Sequence, residues 1–182
     1  MKRLVFFLLI VFSALLLTGC LTVEKKEYTF ELKGNHSGTL TIKFINIMSM
    51  KDDTADISES DFNELISEYI EGNEIDKDYE DAIVRSKRLF VEDDVLCGEV
   101  IIDFEHLSQV GLFQYESKGP YMFNVGSFLD SETYIDSNGD FGGEVMPVVF
   151  WPKSENTLRL TTHITDPDET TVSLVKQYQA WK

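Results

Sequence analysis

The chain has 182 residues, with 16 Lys and Arg against 32 Asp and Glu, a formal net charge of −16 at pH 7. Such a surface is repelled by phosphates, which argues against nucleic acid as a partner and against docking on anionic lipid headgroups. A cationic ligand or divalent ions are the partners that the charge favours.

Lys2 and Arg3 precede an apolar run over residues 4–17, interrupted at Ser13, and Gly19 supplies the small side chain that a signal peptidase needs beside its cut. The run is shorter than the roughly 20 residues of a membrane-spanning helix, so it reads as an export signal. Its end reads either as an ordinary secretory signal with a chance cysteine or as a lipid attachment site. Leu17-Thr18-Gly19-Cys20 resembles the lipobox of bacterial lipoprotein precursors, in which a branched apolar residue, a small residue and Gly or Ala precede an obligatory Cys. The resemblance implies cleavage between Gly19 and Cys20, a diacylglyceryl thioether on Cys20, and acylation, as by palmitate, of the new amino terminus. The protein is then a lipoprotein held on a bacterial cell membrane or outer membrane, with its domain outside the cytoplasm. Two or more acyl chains suffice for such anchoring, at about 0.8 kcal/mol per buried methylene.

Removing residues 1–19 leaves 163 residues carrying 14 basic and 32 acidic side chains, the size of one domain. Residues 20–27 read as a short tether and residues 28–182 as a single domain. Tyr28, Phe30 and Leu32 alternate with polar residues, as do Leu40, Ile42 and Phe44, the period of strands with one buried face. The residues "GNHSG" join them as a hairpin.

Phe62, Leu65, Ile66, Tyr69 and Ile70 recur at helical spacing, which predicts a helix over about 60–71, with Ser58 and Asp61 as a weak capping box and Gly72 as its stop. Strands resume at "KRLFVE" and "VLCGEVIIDF", joined at Asp93-Asp94. "EHLSQVG" reads as a turn of helix or a loop, and "YMFNVGSFLD" and "SETYID" regain strand character. Asn138-Gly139 predicts a type I′ hairpin turn, and "GEVMPVVFW" an edge or irregular strand because of Pro147. For the end of the chain two readings compete. Asp166-Pro167 opens a helix over about 167–181 with a Leu174, Val175, Tyr178 and Trp181 stripe, or "TTVSLV" forms a last strand. The helix is the preferred one. The expected fold class is therefore α+β, a mainly antiparallel sheet of hairpins with one helix on a face and a C-terminal helix. Its element order is similar to that of other bacterial lipoprotein domains of uncharacterised function, a likeness that assigns no site residue.

Candidate chemistry is sparse. Asp136, Asn138 and Asp140 match the first oxygen ligands of a calcium loop, but Phe141 and Pro147 break the pattern and Glu144 would have to serve out of place. A hairpin turn with solvated acids is the favoured reading, calcium the alternative cofactor. His36, His106 and His163 are too scattered for a zinc motif. Cys97 reads as a nucleophile, a disulfide partner or a small core residue. Alternation places it beside Glu99 and Asp103, whose carboxylates disfavour a thiolate, and Gly98 suggests a bulge that turns it inward as an inert thiol. Trp151, before Pro152, stands at a strand end. The aromatic stretches around it read as core, or as a groove for a lipid, glycan or peptide.

No nucleophile elbow, P-loop, dinucleotide fingerprint or zinc-protease motif occurs. These features lean away from an enzyme and toward a non-catalytic binding or assembly role in the cell envelope, with a protein or small ligand as partner. The alternatives are an envelope hydrolase acting near the membrane and a calcium-dependent binding module.

Overall fold

The computed structural model describes residues 21–34, 36–51, 55–126 and 132–182. Gly19 and Cys20, and with them the expected cleavage and lipidation sites, lie outside the described residues. The expected tether is strand, because β1 (Leu21–Lys33) is already paired at its first residue, with Leu21 opposite Ser49 of β2 (Ser37–Met50). After this hairpin come α1 (Ser58–Glu64), continued as π-helix over Leu65–Ile70, the short α2 (Glu74–Asp78), β3 (Ile83–Glu92) and β4 (Val95–Phe104). A 3₁₀ turn (Leu107–Val110) leads to β5 (Leu112–Phe113), β6 (Tyr121–Asn124), β7 (Thr133–Ser137), β8 (Asp140–Phe141) and β9 (Val148–Trp151). The chain then forms β10 (Thr157–His163), β11 (Thr171–Ser173) and α3 (Val175–Trp181).

The antiparallel α+β expectation holds, with two sheets where one was expected. The larger runs β3-β4-β2-β1-β10-β7, with β11 beside the end of β2, and the smaller runs β5-β6-β9-β8. Tyr28, Phe30, Leu40, Ile42, Ile102 and Leu160 of the large sheet meet Leu112, Tyr121, Val149 and Trp151 of the small one in a single core. The opposite face of the large sheet is largely solvated, although Thr39, Met48 and Cys97 on it are buried. One row crosses it as Thr161, Glu27, Lys43, Glu99 and Arg88, so unlike charges stand side by side on adjacent strands.

A second core lies further along the same inner face, where Ile47 and Leu96 meet Phe62, Leu65 and Ile66 of α1 and its continuation, with Leu174 and Tyr178 from the chain end. Reaching it requires a change of parity. Even-numbered residues of β1 and β2 face the first core, whereas Leu21, Val23 and Ile47 face the second. The switch falls at Glu24 and Asn46, where Asn46 adopts φ 56° and its Nδ2 donates to Glu24 Oε2 at 3.0 Å. The parity change places Ser49 so that its hydroxyl donates to the buried Asp61 of α1 at 2.5 Å.

Several local expectations are corrected. Ser58 does not cap α1; its backbone N–H donates to Asp56 at 3.0 Å and its hydroxyl accepts from Gln177 at 2.8 Å, tying α1 to α3. Gly72 has no left-handed φ; a Cβ there would stand 2.5 Å from the Ser67 and Glu68 carbonyl oxygens. The C-terminal helix begins at Val175, not near 167, because residues 171–173 are drawn into pairing with β2. The left-handed two-residue turn is at Asp93-Asp94, with φ 49° and 63°, and not at Asn138-Gly139. Asn138 and Gly139 carry the chain from one sheet to the other, since β7 pairs with β10 and β8 with β9.

Aspartate pays a steric cost in the left-handed region that glycine avoids, and an Asn-Gly pair suits a type I′ turn best. Replacing Asp93-Asp94 by Asn-Gly is therefore expected to stabilise the protein by about 1 kcal/mol, read as a higher urea midpoint with an unchanged slope.

Candidate functional site

Between the inner face of the large sheet and its helical cover lies a cavity of about 360 Å³. Its floor is the middle of the large sheet, with Tyr28, Ile42, Phe44, Gly98 and Val100. Its roof is the π-helical end of the first helix together with α2 and its flanks, through Tyr69, Ile70, Ile75 and Tyr79. Leu21 and Val23, at the start of β1, stand on its wall beside Leu65. Gly98 keeps the floor low, since a Cβ there would come within 3.2 Å of Ile47 Cδ1.

A lysine of the sheet edge helps to fasten the roof. Lys87 of β3 donates to the Gly72 carbonyl at 2.6 Å and to Asp76 Oδ2 at 2.9 Å, and α2 has no buried residue of its own. The π-helical end, closed by the Glu71 N–H to Ile66 carbonyl bond at 2.8 Å, adds one residue to the turn and so shifts which side chains come next on the roof.

Lys26 lines the cavity, and its ammonium is spoken for: it pairs with Glu132 at 3.1 Å. The same carboxylate accepts from Tyr28 Oη at 2.8 Å and from Thr162 Oγ1 at 2.6 Å. Burial, with help from the carboxylates of Asp78 and Glu132, pushes the Tyr79 hydroxyl up to about 12. Burial likewise raises Tyr69, followed by the effect of Glu64 and neighbouring acids. Both phenols are thus held as neutral donors, and neither donates to a described residue. Arg88 contributes main chain only, because alternation places its guanidinium on the outer face, paired with Glu99 at 2.7 Å. Such an arrangement can take an apolar body out of water.

The residues singled out from sequence lie elsewhere. Asn138 Oδ1 accepts from the Trp151 indole at 2.9 Å and from the Arg159 N–H at 2.7 Å, while its Nδ2 donates to the Thr157 carbonyl at 2.8 Å. Its carboxamide is a junction between the sheets, and Asp136, Asp140 and Glu144 around it are exposed. Among the described residues, no three His, Cys, Asp or Glu side chains gather as a metal site. Trp151 is fully buried rather than exposed at its strand end. His36 sits exposed in the β1–β2 turn, His106 precedes the 3₁₀ turn, and His163 contacts Asp166 at 3.0 Å.

Cys97 is a buried free thiol. No bulge at Gly98 turns it, since the pairing with β3 runs unbroken past it. It keeps to the outer parity and sits opposite Phe90, with Lys43 reaching over that ring at 5.9 Å. Burial pushes its pKa up, against the backbone N–H of Asn46 and the Lys43 charge.

The cavity is hidden from sequence reading because its walls come from several separate elements. One local sign exists. Ile75 and Tyr79 continue an apolar pattern beyond Gly72, where the predicted helix needs no more.

Two outcomes are expected. Lys87→Met should speed amide exchange across residues 72–79 by roughly tenfold, the effect of losing about 1.5 kcal/mol of charged hydrogen bonding at the roof. For Cys97, the folded pKa lies above the unfolded value of about 8.5, so the stability it contributes is full below that pH and is lost as pH rises through the folded value. Urea midpoints should fall in the alkaline range, and less steeply in Cys97→Ala. A scan against protein-family models, a search of curated proteins and a search of solved structures each found no match.

Proposed function

We propose that this chain is a lipid-anchored domain of a bacterial cell envelope whose role is binding rather than catalysis, with the cavity on the inner sheet face as the binding place. The carrying observation is that cavity: about 360 Å³, within the roughly 300–1,000 Å³ of small-ligand sites, with apolar walls and a few polar groups. The anchor is supported by the sequence, where Leu17-Thr18-Gly19-Cys20 follows an export signal. No described helix is long and apolar enough to cross a membrane.

A lipid on Cys20 sets the domain directly against the bilayer, because the paired strand starts one residue later. Leu21 and Val23 then bring the cavity wall to the membrane side of the domain. The acidic surface adds no attraction to anionic headgroups, so the lipid alone holds the protein there.

The anchor is tested in bacteria fed labelled palmitate. The full chain is expected in the membrane fraction carrying label on its amino-terminal peptide, and Cys20→Ser is expected to carry none. A full chain without label, or a Cys20→Ser protein that still takes it up, would show the anchor reading to be wrong.

A further inference from the structure

We infer that the cavity houses one acyl chain of the lipid carried on Cys20 of the same molecule. This deepens the binding reading and rests on it.

The first argument is position. The described chain starts at Leu21, and Leu21 and Val23 already stand on the cavity wall. A lipid joined to the preceding residue is therefore attached at the edge of the cavity, with no intervening chain to span. Such a ligand is present at a high effective concentration, which a free lipid of the same chemistry does not match.

The second argument is chemistry. Phe44, Ile47, Leu65, Ile70, Leu89 and Val100 supply walls suited to hydrocarbon. Burying methylenes there is as favourable as burying them in a bilayer, so proximity decides which compartment a chain takes. The charges select against an anionic headgroup. Lys26 is neutralised by Glu132, and Asp78 adds a negative charge at the roof. A fatty carboxylate or phosphate thus finds no free cation on the described walls. A thioether-linked diacylglyceryl group is uncharged and needs no such cation.

The third argument is size. A cavity of about 360 Å³ is near the lower end for small-ligand sites, which suits one chain and not all those of a lipoprotein amino terminus. The remaining chains stay in the bilayer and keep the protein attached. The domain is held down by some of its lipid and folded around the rest.

The test uses the full chain, made in bacteria fed labelled palmitate and purified in a non-ionic detergent, with a benzophenone amino acid in place of Ile70. Illumination is expected to join the roof to the amino-terminal lipopeptide of the same molecule, seen by mass spectrometry after digestion. The same amino acid in place of Thr41, on the outer face, should give no such product. In parallel, a fluorescent monoacylglycerol should bind Cys20→Ser protein in the same detergent one to one, at least tenfold more tightly than it binds the lipidated protein, whose cavity is filled. Ile70→Trp should abolish that binding while leaving the urea midpoint near that of the parent.

Roof crosslinks to free lipid alone, or equal probe affinity for the two forms, would overturn the assignment to the Cys20 lipid. Labelled Cys20 with no roof crosslink overturns this inference and leaves the anchor standing. Absence of label on Cys20 overturns both, and saturable probe binding by Cys20→Ser would still identify the cavity as a lipid site.

Discussion

A strand hairpin with one wet face and one dry face must be covered along its whole length on the dry side, and everything else in this fold depends on how that is done. β2 has fourteen residues and rises about 3.3 Å per residue, roughly 46 Å in all. The longest strands of the small sheet have four residues, roughly 13 Å. The small sheet therefore covers Leu40, Ile42 and their neighbours and leaves the rest of the hairpin bare. The first helix, its π-helical end and α3 cover the remainder, around Ile47 and Leu96. The helical part of this cover does not fill the space against the sheet, and the gap beneath it is the cavity.

The second cover fits only because the hairpin reverses its parity at Glu24 and Asn46. Without that step, Leu21, Val23 and Ile47 would face water and Thr22 and Met48 the helix. The step has a local cost: Asn46 is non-glycine at φ 56°, and its buried Oδ1 has no hydrogen-bond partner among the described residues. It is offset by the helix packing that it permits, including the buried Ser49–Asp61 bond. The same reversal lets the start of β1 contribute to the cavity wall.

Polar side chains at the seams hold these bodies in place. Asn138 joins the two sheets through three hydrogen bonds, and Glu132 joins β1 to β10 beside the cavity floor. Gly139 is required there by close approach and not by φ: a Cβ would lie 2.7 Å from the Phe150 carbonyl oxygen and the Trp151 ring. Lys87 joins the roof to the sheet edge. In each case a residue type that favours turns or solvent in sequence statistics is used at a junction that only the assembled layers create.

What the sequence determined by itself is what short-range chemistry controls. Period-two alternation in "YTFELK" and "TLTIKF" dictates strands with one buried face, and helical spacing from Phe62 to Ile70 dictates a covering helix. The tertiary structure alone decided that there are two sheets, that β1 begins at Leu21, that Asn138-Gly139 crosses between layers, that Trp151 is buried and Cys97 covered on the outer face. It alone also decided that a cavity exists. The reason is physical: alternation and caps depend on neighbours a few residues apart, whereas a gap between a sheet and its helical cover depends on which distant segments fill the space, which no local pattern encodes.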